Sequence, residues 1–211
     1  MKIIFATGNE NKLREIREIM GDLTEEILSM KEAGVAADPE ENGSSFEENA
    51  AIKATACAEL ATGKYAEDVV VMADDSGLEI DALGGEPGIY SARYLGHDTS
   101  YDEKNRIILE RLKDVPEEDR GARFVCAVAA VVLPAGKPAA EAGEPLITRE
   151  TMEGRIAHEI AGANGFGYDP IFLLPEYGRT SAEISPDEKN AISHRGKALR
   201  AMREKLREEL A

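Results

Sequence analysis

The chain opens on a short apolar run, Lys2 to Ala6. It breaks at Thr7-Gly8-Asn9-Glu10-Asn11-Lys12 and resumes with Leu13, Ile16 and Met20 at helical spacing. Strand, glycine-containing turn and helix in that order require a sheet with a helix packed on it, and the remaining segments extend the pattern. Val69 to Ala73 reads as a second buried strand that stops at Asp74-Asp75-Ser76-Gly77. Leu78 to Leu83 alternates as a half-exposed strand. Arg123 to Leu133 is a long strand, Arg155 to Ile160 alternates again, and Ile171 to Leu174 is another short apolar run. Ser44-Ser45-Phe46-Glu47 fits a capping box with Ser44 as the cap of a helix running to about Ala61. Ser100 with Glu103 caps a helix to about Lys113. Ser185-Pro186 starts another helix with proline at its first position. A last helix from about Arg195 aligns Leu199, Met202, Leu206 and Leu210. These elements predict a mixed α/β fold, with a twisted central sheet flanked by helices and two lobes with an active-site cleft between them. Residues 1–211 are expected to form a single domain; the loose stretches at 36–45 and 134–145 join periodic segments without marking a boundary.

Composition narrows the function classes. Apolar residues make up 43% of the chain and are spread along it, which excludes disorder. The longest apolar run, Phe124 to Leu133, is strand-sized, against the roughly 20 residues of a membrane helix. The N-terminus turns polar too early for a signal peptide, so a cytoplasmic protein is expected. Forty-one acidic residues against 25 basic ones give a net charge of −16, and no basic run is present. Such a surface repels a nucleic-acid polymer. An anionic small molecule then needs a local cluster of donors or a bound cation. Cys57 and Cys126 lie in apolar surroundings without metal-ligand spacing and read as buried thiols.

Five places carry candidate chemistry. The turn Thr7 to Lys12 precedes a helix N-terminus, where free N–H groups and a glycine suit a phosphate; the same residues serve equally as a capped helix start. Asp74 and Asp75 are adjacent carboxylates, a repulsive arrangement unless a cation or hydrogen bonds offset it. One of them suits Mg²⁺ or a general base, and local capping is the alternative. Phe46, Asn49 and Lys53 share one helical stripe; Lys53 can reach a phosphate and Glu41 a metal, or both are solvated charges. In Gly165-Phe166-Gly167-Tyr168-Asp169-Pro170 the aromatic can stack on a base or fill a structural turn. Ser193-His194-Arg195-Gly196, with Lys189 upstream, gathers donors near a helix start.

Together these segments resemble the inosine/xanthosine triphosphate pyrophosphatase family. The likeness is carried by Phe5 to Lys12, Ser45 to Ala54, Ala73 to Leu78, Gly88-Ile89-Tyr90-Ser91-Ala92-Arg93-Tyr94, Gly165 to Pro170 and Ser193 to Gly196, in the family's order. Asn42 departs from it, standing where the family often has threonine before glycine. The resemblance implies hydrolysis of ITP, dITP and XTP to monophosphate and pyrophosphate with Mg²⁺, usually in a homodimer. It implies that Thr7, Gly8, Asn9, Glu10, Asn11 and Lys12 hold the triphosphate and that Lys53 assists. It assigns Glu41 and Asp75 to Mg²⁺, makes Asp75 the general base as well, gives Asp74 a supporting role, and puts Ser76 against substrate. Phe166, Gly167, Tyr168, Asp169, Lys189, His194 and Arg195 would form the nucleoside pocket. Two other readings compete: a pyrophosphatase for modified pyrimidine or 7-methylguanine nucleotides, and a nucleotide sensor without turnover.

Overall fold

The computed structural model describes residues 1–24 and 26–210, and for Asn11 the backbone alone. Seven strands form one mixed sheet in the order β2-β1-β3-β4-β5-β6-β7. They are β1 (Lys2–Phe5), β2 (Ile27–Ser29), β3 (Val69–Ile80), β4 (Gly121–Leu133), β5 (Leu146–Ile156), β6 (Phe172–Leu174) and β7 (Arg179–Thr180). β1 runs parallel to both β2 and β3, while β6 is antiparallel to β5 and β7. The helices are α1 (Glu10–Met20), α2 (Phe46–Ala61), α3 (Tyr101–Arg111), α4 (Pro186–Ile192) and α5 (His194–Glu209). The mixed α/β expectation is met. No helix among the described residues is long and apolar enough to cross a membrane.

The chain divides into two compact units, and β3, β4 and β5 contribute residues to both. Unit 1 comprises Met1–Asp75, Cys126–Glu150 and the segment from Arg195 on; unit 2 comprises Ser76–Val125 and Thr151–His194. In unit 1, Ile3 and Phe5 of β1, Val70 and Met72 of β3, and Cys126, Val128 and Ala130 of β4 form one apolar cluster. Leu13, Ile16 and Met20 of α1 join it, with Leu199, Met202 and Leu206 of α5. Alternation turns Ile4, Val69 and Val71 to the opposite face of the sheet, where they are buried too. α2 buries a small-residue face, Ala50, Ala54, Cys57, Ala58 and Ala61. Burial pushes the Cys57 thiol up to about 11. Unit 2 has its own core, built from Leu78, Ile80, Ile108, Phe124, Ile156, Tyr168 and Phe172 with their neighbours.

Several elements differ from the sequence reading. β3 does not stop at Asp74 but continues through Gly77 to Ile80, so the two aspartates sit in mid-strand. The cap of α2 is Ser45, whose hydroxyl accepts from the Glu48 N–H; the Glu48 carboxylate accepts from the Ser44 N–H and hydroxyl. Each of the two adjacent serines has a glutamate three residues on, so the sequence pattern alone fits both, and the helix begins one residue later than expected. Ser100 and Ser185 cap α3 and α4 as expected. The strand expected at Arg155 begins earlier, at Leu146, and ends at Ile156.

Candidate functional site

Strand alternation sets the geometry of unit 1. Asp74 lies on the same face as Val70 and Met72, the face packed by α1 and α5; Asp75 points to the other. Lys12 of α1 donates to both Asp74 oxygens at 2.9 Å. Arg195 of α5 donates from Nε to Asp74 Oδ2 at 3.3 Å and from Nη1 to Glu15 of α1 at 3.1 Å. Asp74 is only 3% exposed. Burial alone disfavours its charge, but Lys12, Arg195 and Lys53 outweigh that and hold its carboxyl far below the usual range. Burial likewise opposes the Arg195 charge, and Asp74 and Glu15 keep it on.

Asp75 faces α2. Its Oδ1 accepts from Lys53 at 3.2 Å and its Oδ2 from Asn49 at 3.3 Å. Lys53 also donates to Glu41 at 3.3 Å. Burial raises the Asp75 pKa; Lys53 opposes and the Glu41 charge adds to the rise, so the net direction is upward. Lys53 is shifted upward as well: burial disfavours its charge, but Asp75, Asp74 and Glu41 outweigh it.

The turn between β1 and α1 is a true helix cap. The Asn9 side-chain oxygen accepts from the Lys12 N–H, and Thr7 Oγ1 accepts from the Asn9 N–H. Around it lies a cavity of about 240 Å³ whose lining includes Thr7, Gly8, Lys12, Glu41, Lys53 and Asp74. A Cβ on Gly8 would meet nothing within 4 Å, so the turn is open there. Gly8, Asn9 and Glu10 are exposed, while the Asn11 side chain lies outside the described residues.

In unit 2 the loop 165–169 is tied from inside by Asp169. Its Oδ2 accepts from the Phe166 N–H at 2.9 Å and from Lys189, and its Oδ1 from Ser181 at 2.9 Å. A Cβ on Gly165, whose φ is +76°, would come within 2.2 Å of Asp169 Oδ2, so only glycine fits. The Tyr168 ring is buried in a T-shaped contact with Tyr101, and its hydroxyl donates to the Ser91 carbonyl at 2.7 Å. Burial raises the Tyr168 pKa. Asn105 of α3 donates to the Gly167 carbonyl at 3.1 Å. Phe166 stays 45% exposed, with Lys189 Nζ 5.1 Å from its ring centre. His194 is buried and stacks on Phe124 at 5.0 Å. Ser76, the first residue of unit 2, is partly buried.

A model of the Ham1 family matches residues 3–205. The chain belongs to the Ham1 family. Among relatives of this Ham1 chain, the dITP/XTP pyrophosphatase of Clostridium perfringens is 45% identical over 206 residues, covering 98% of this chain and 97% of the relative. That of Exiguobacterium sibiricum is 48% identical over 202 residues, covering 96% and 95%. The structure of a HAM1 protein from Coxiella burnetii aligns with a TM-score of 0.83 at 42% identity, covering 99% of each chain. The nucleoside-triphosphatase / dITP/XTP pyrophosphatase of Mycobacterium abscessus aligns with a TM-score of 0.71 at 39% identity, covering 96% of this chain and 98% of that one.

Within this Ham1 chain the structure brings Lys12, Glu41, Lys53, Asp74 and Asp75 together in unit 1. It groups Phe166, Asp169 and Lys189 in unit 2. Arg195, expected beside His194 in a nucleoside pocket, directs Nε and Nη1 to Asp74 and Glu15 instead. Sequence reasoning did not single out Glu15, Ser181 or Asn105; each acts on a partner distant in the chain. Among the described residues no group of three or more His, Cys, Asp or Glu could hold a metal ion. The available donor set is smaller: Glu41 and Asp75 both direct an oxygen at the one Lys53 ammonium. Two carboxylates converging on a positive charge fit a Mg²⁺ ion that takes its other ligands from water and phosphate oxygens.

Proposed function

We propose that this chain hydrolyses dITP, ITP and XTP to the monophosphate and pyrophosphate, removing them from the nucleotide pool. The whole of residues 1–211 would act as one pyrophosphatase domain, in the cytoplasm and as a homodimer. The observation that carries the reading is the division of labour on β3. Asp74 is neutralised by Lys12 and Arg195, while Asp75 keeps a raised pKa beside Glu41 and Lys53. The relatives' names supply the substrate class.

In this reading the turn Thr7, Gly8, Asn9, Glu10, Asn11 and Lys12 receives the triphosphate at the start of α1, where backbone N–H groups and the Lys12 ammonium meet its charge. Glu41 and Asp75 would hold Mg²⁺, which would supply charge neutralisation at phosphate oxygens and a lowered pKa for bound water. Asp75 accepts the proton of the water that attacks the α-phosphorus; the bond from that phosphorus to the bridging oxygen breaks, and pyrophosphate leaves. Lys12 and Lys53 offset the charge of the leaving group, and Asp74 keeps Lys12 in place. Ser76 touches substrate next to Asp75.

The nucleobase is recognised apart from the triphosphate. Phe166 stacks on it, on a loop fixed by Gly167, Tyr168 and Asp169, with Lys189 alongside. His194 supplies a donor for a 6-keto oxygen, which hypoxanthine and xanthine carry and adenine does not, while Arg195 beside it in sequence is held by Asp74 and Glu15. Placing adenine's amino group there leaves that donor unpaired, a loss of about 1–3 kcal/mol for a buried one.

Hydrolysis of dITP in isotopically labelled water tests the chemistry. Label in the monophosphate, with intact unlabelled pyrophosphate, is the expected outcome. Label in pyrophosphate, or release of orthophosphate, contradicts it.

A further inference from the structure

Asn49 stands out in α2 as a polar residue on a face otherwise made of alanine, cysteine and phenylalanine, and it is 0% exposed. Its two amide atoms are both used, in different directions. Oδ1 accepts from the Gly43 N–H at 2.9 Å, and Nδ2 donates to Asp75 Oδ2 at 3.3 Å. The partners fix which atom is which, since an N–H needs an acceptor and a carboxylate needs a donor. Gly43 lies two residues after Glu41. A Cβ on Gly43 would sit 2.7 Å from Asn49 Oδ1, 2.8 Å from Glu48 Cβ and 3.1 Å from the Asn49 backbone nitrogen. The loop can lie against Asn49 only because residue 43 has no side chain.

One helical turn further on, Lys53 takes the other Asp75 oxygen and also reaches Glu41. The same two α2 side chains therefore hold both the Glu41 loop and Asp75. Lys53 does so with a charge on a flexible stem, Asn49 with a short planar amide that has little freedom to move. A carboxylate gripped at one oxygen can still rotate about its Cβ–Cγ bond; gripped at both, it cannot.

We propose that Asn49 is a positioning residue that sets the spacing and orientation of Glu41 and Asp75, acting through the Gly43 amide on one side and the Asp75 carboxylate on the other. This rests on the assignment of Asp75 as base and of Glu41 and Asp75 as the Mg²⁺ carboxylates. Groups that orient metal-binding carboxylates typically lose 10- to 100-fold in metal affinity or activity when removed.

The test uses Asn49→Leu, close to asparagine in shape but unable to make either bond, with Mn²⁺ alone as the metal probe. Two readings are taken: Mn²⁺ affinity of the nucleotide-free protein by calorimetry, and kcat and KM for dITP. The expected result is roughly 10-fold weaker Mn²⁺ binding and a kcat lowered by about 10- to 100-fold, with KM changed less than about 3-fold. Gly43→Ala should reproduce the direction of both changes. The double variant should be no worse than Asn49→Leu, because both act through one bracket. If Asn49→Leu does not fold, Asn49→Asp replaces it; this keeps an acceptor for Gly43 and sets a like charge against Asp75. Wild-type Mn²⁺ affinity and kcat in the folded variant, or losses that multiply in the double variant, overturn the proposal. Asp75→Asn separates the two levels. A folded, fully active Asp75→Asn contradicts the underlying assignment, whereas an inactive Asp75→Asn beside a wild-type-like Asn49→Leu contradicts the role of Asn49 alone.

Discussion

The two adjacent aspartates of β3 are chemically identical and physically opposite. Asp74 faces α1 and α5 and meets two full cations there, one of them bidentate. Asp75 faces α2 and shares its single ammonium with another carboxylate. Burial acts against the charge of both, yet one pKa ends far below the ordinary value and the other above it. The period-two alternation of a strand is enough to give neighbours different hydrogen-bond partners. A carboxylate held firmly charged and one of raised pKa thus occupy consecutive positions, with Lys53 acting on both.

The sharpest way to break this contrast is to neutralise each member. Asp75→Asn should lower kcat for dITP by roughly 10³-fold while nucleotide binding is largely kept, read by pyrophosphate release and by binding titration. Asp74→Asn should act mainly on the fold, because it leaves Lys12 and the buried Arg195 short of their counter-charge. Removing one partner of a buried ion pair typically loses about 3–5 kcal/mol, measurable by urea denaturation. Unit 2 should respond in a third manner. Phe166→Ala should raise KM for dITP by roughly 5- to 150-fold, the equivalent of about 1–3 kcal/mol of base stacking, with a smaller change in kcat. His194→Ala should narrow the preference for dITP over dATP by about 5-fold or more. Unchanged discrimination removes the donor pocket from the account.

The smallest effect is a difference of sign. The depressed Asp74 pKa contributes stability that is present above the unfolded value near 3.8 and is lost as pH falls through the folded value. The deficit of Asp74→Asn should therefore shrink in acid. The raised Asp75 pKa works the other way: its contribution is present at low pH and lost as pH rises through the folded value. Asp75→Asn should gain stability relative to wild type toward neutral pH. Denaturation midpoints from about pH 3 to pH 7 check both slopes.

Much of this architecture is legible in the chain. The run from Lys2 into the Gly8 turn, followed by Leu13, Ile16 and Met20, marks β1 and α1 because the periods of strand and helix follow one another directly. Ser100 and Ser185 mark helix starts through local bonds to Glu103 and Glu188. The continuation of β3 is not legible. Asp74-Asp75-Ser76-Gly77 looks like a strand end because the cations that offset its two carboxylates, Lys12, Lys53 and Arg195, stand 62, 22 and 121 residues away. β2 is three residues long and β7 two, too short for a pattern. β5 carries charges along most of its length, and only Thr148, Met152 and Ile156 are buried in it, so its spacing resembles neither a half-buried strand nor a loop. At the candidate site the residue types could be picked out, but not their allegiances. Arg195 adjoins His194 in sequence and directs its guanidinium to Asp74 and Glu15. Asn49 could be placed on a stripe with Lys53, but its double hold on Gly43 and Asp75 needs the fold.

Pyrophosphate release from dITP, XTP and dATP, each with and without Mg²⁺, bears most directly on the whole account. Rapid Mg²⁺-dependent release from dITP and XTP, with dATP turned over far more slowly, is the predicted result. Equal rates on all three nucleotides, or undiminished release after the metal is chelated, would contradict it.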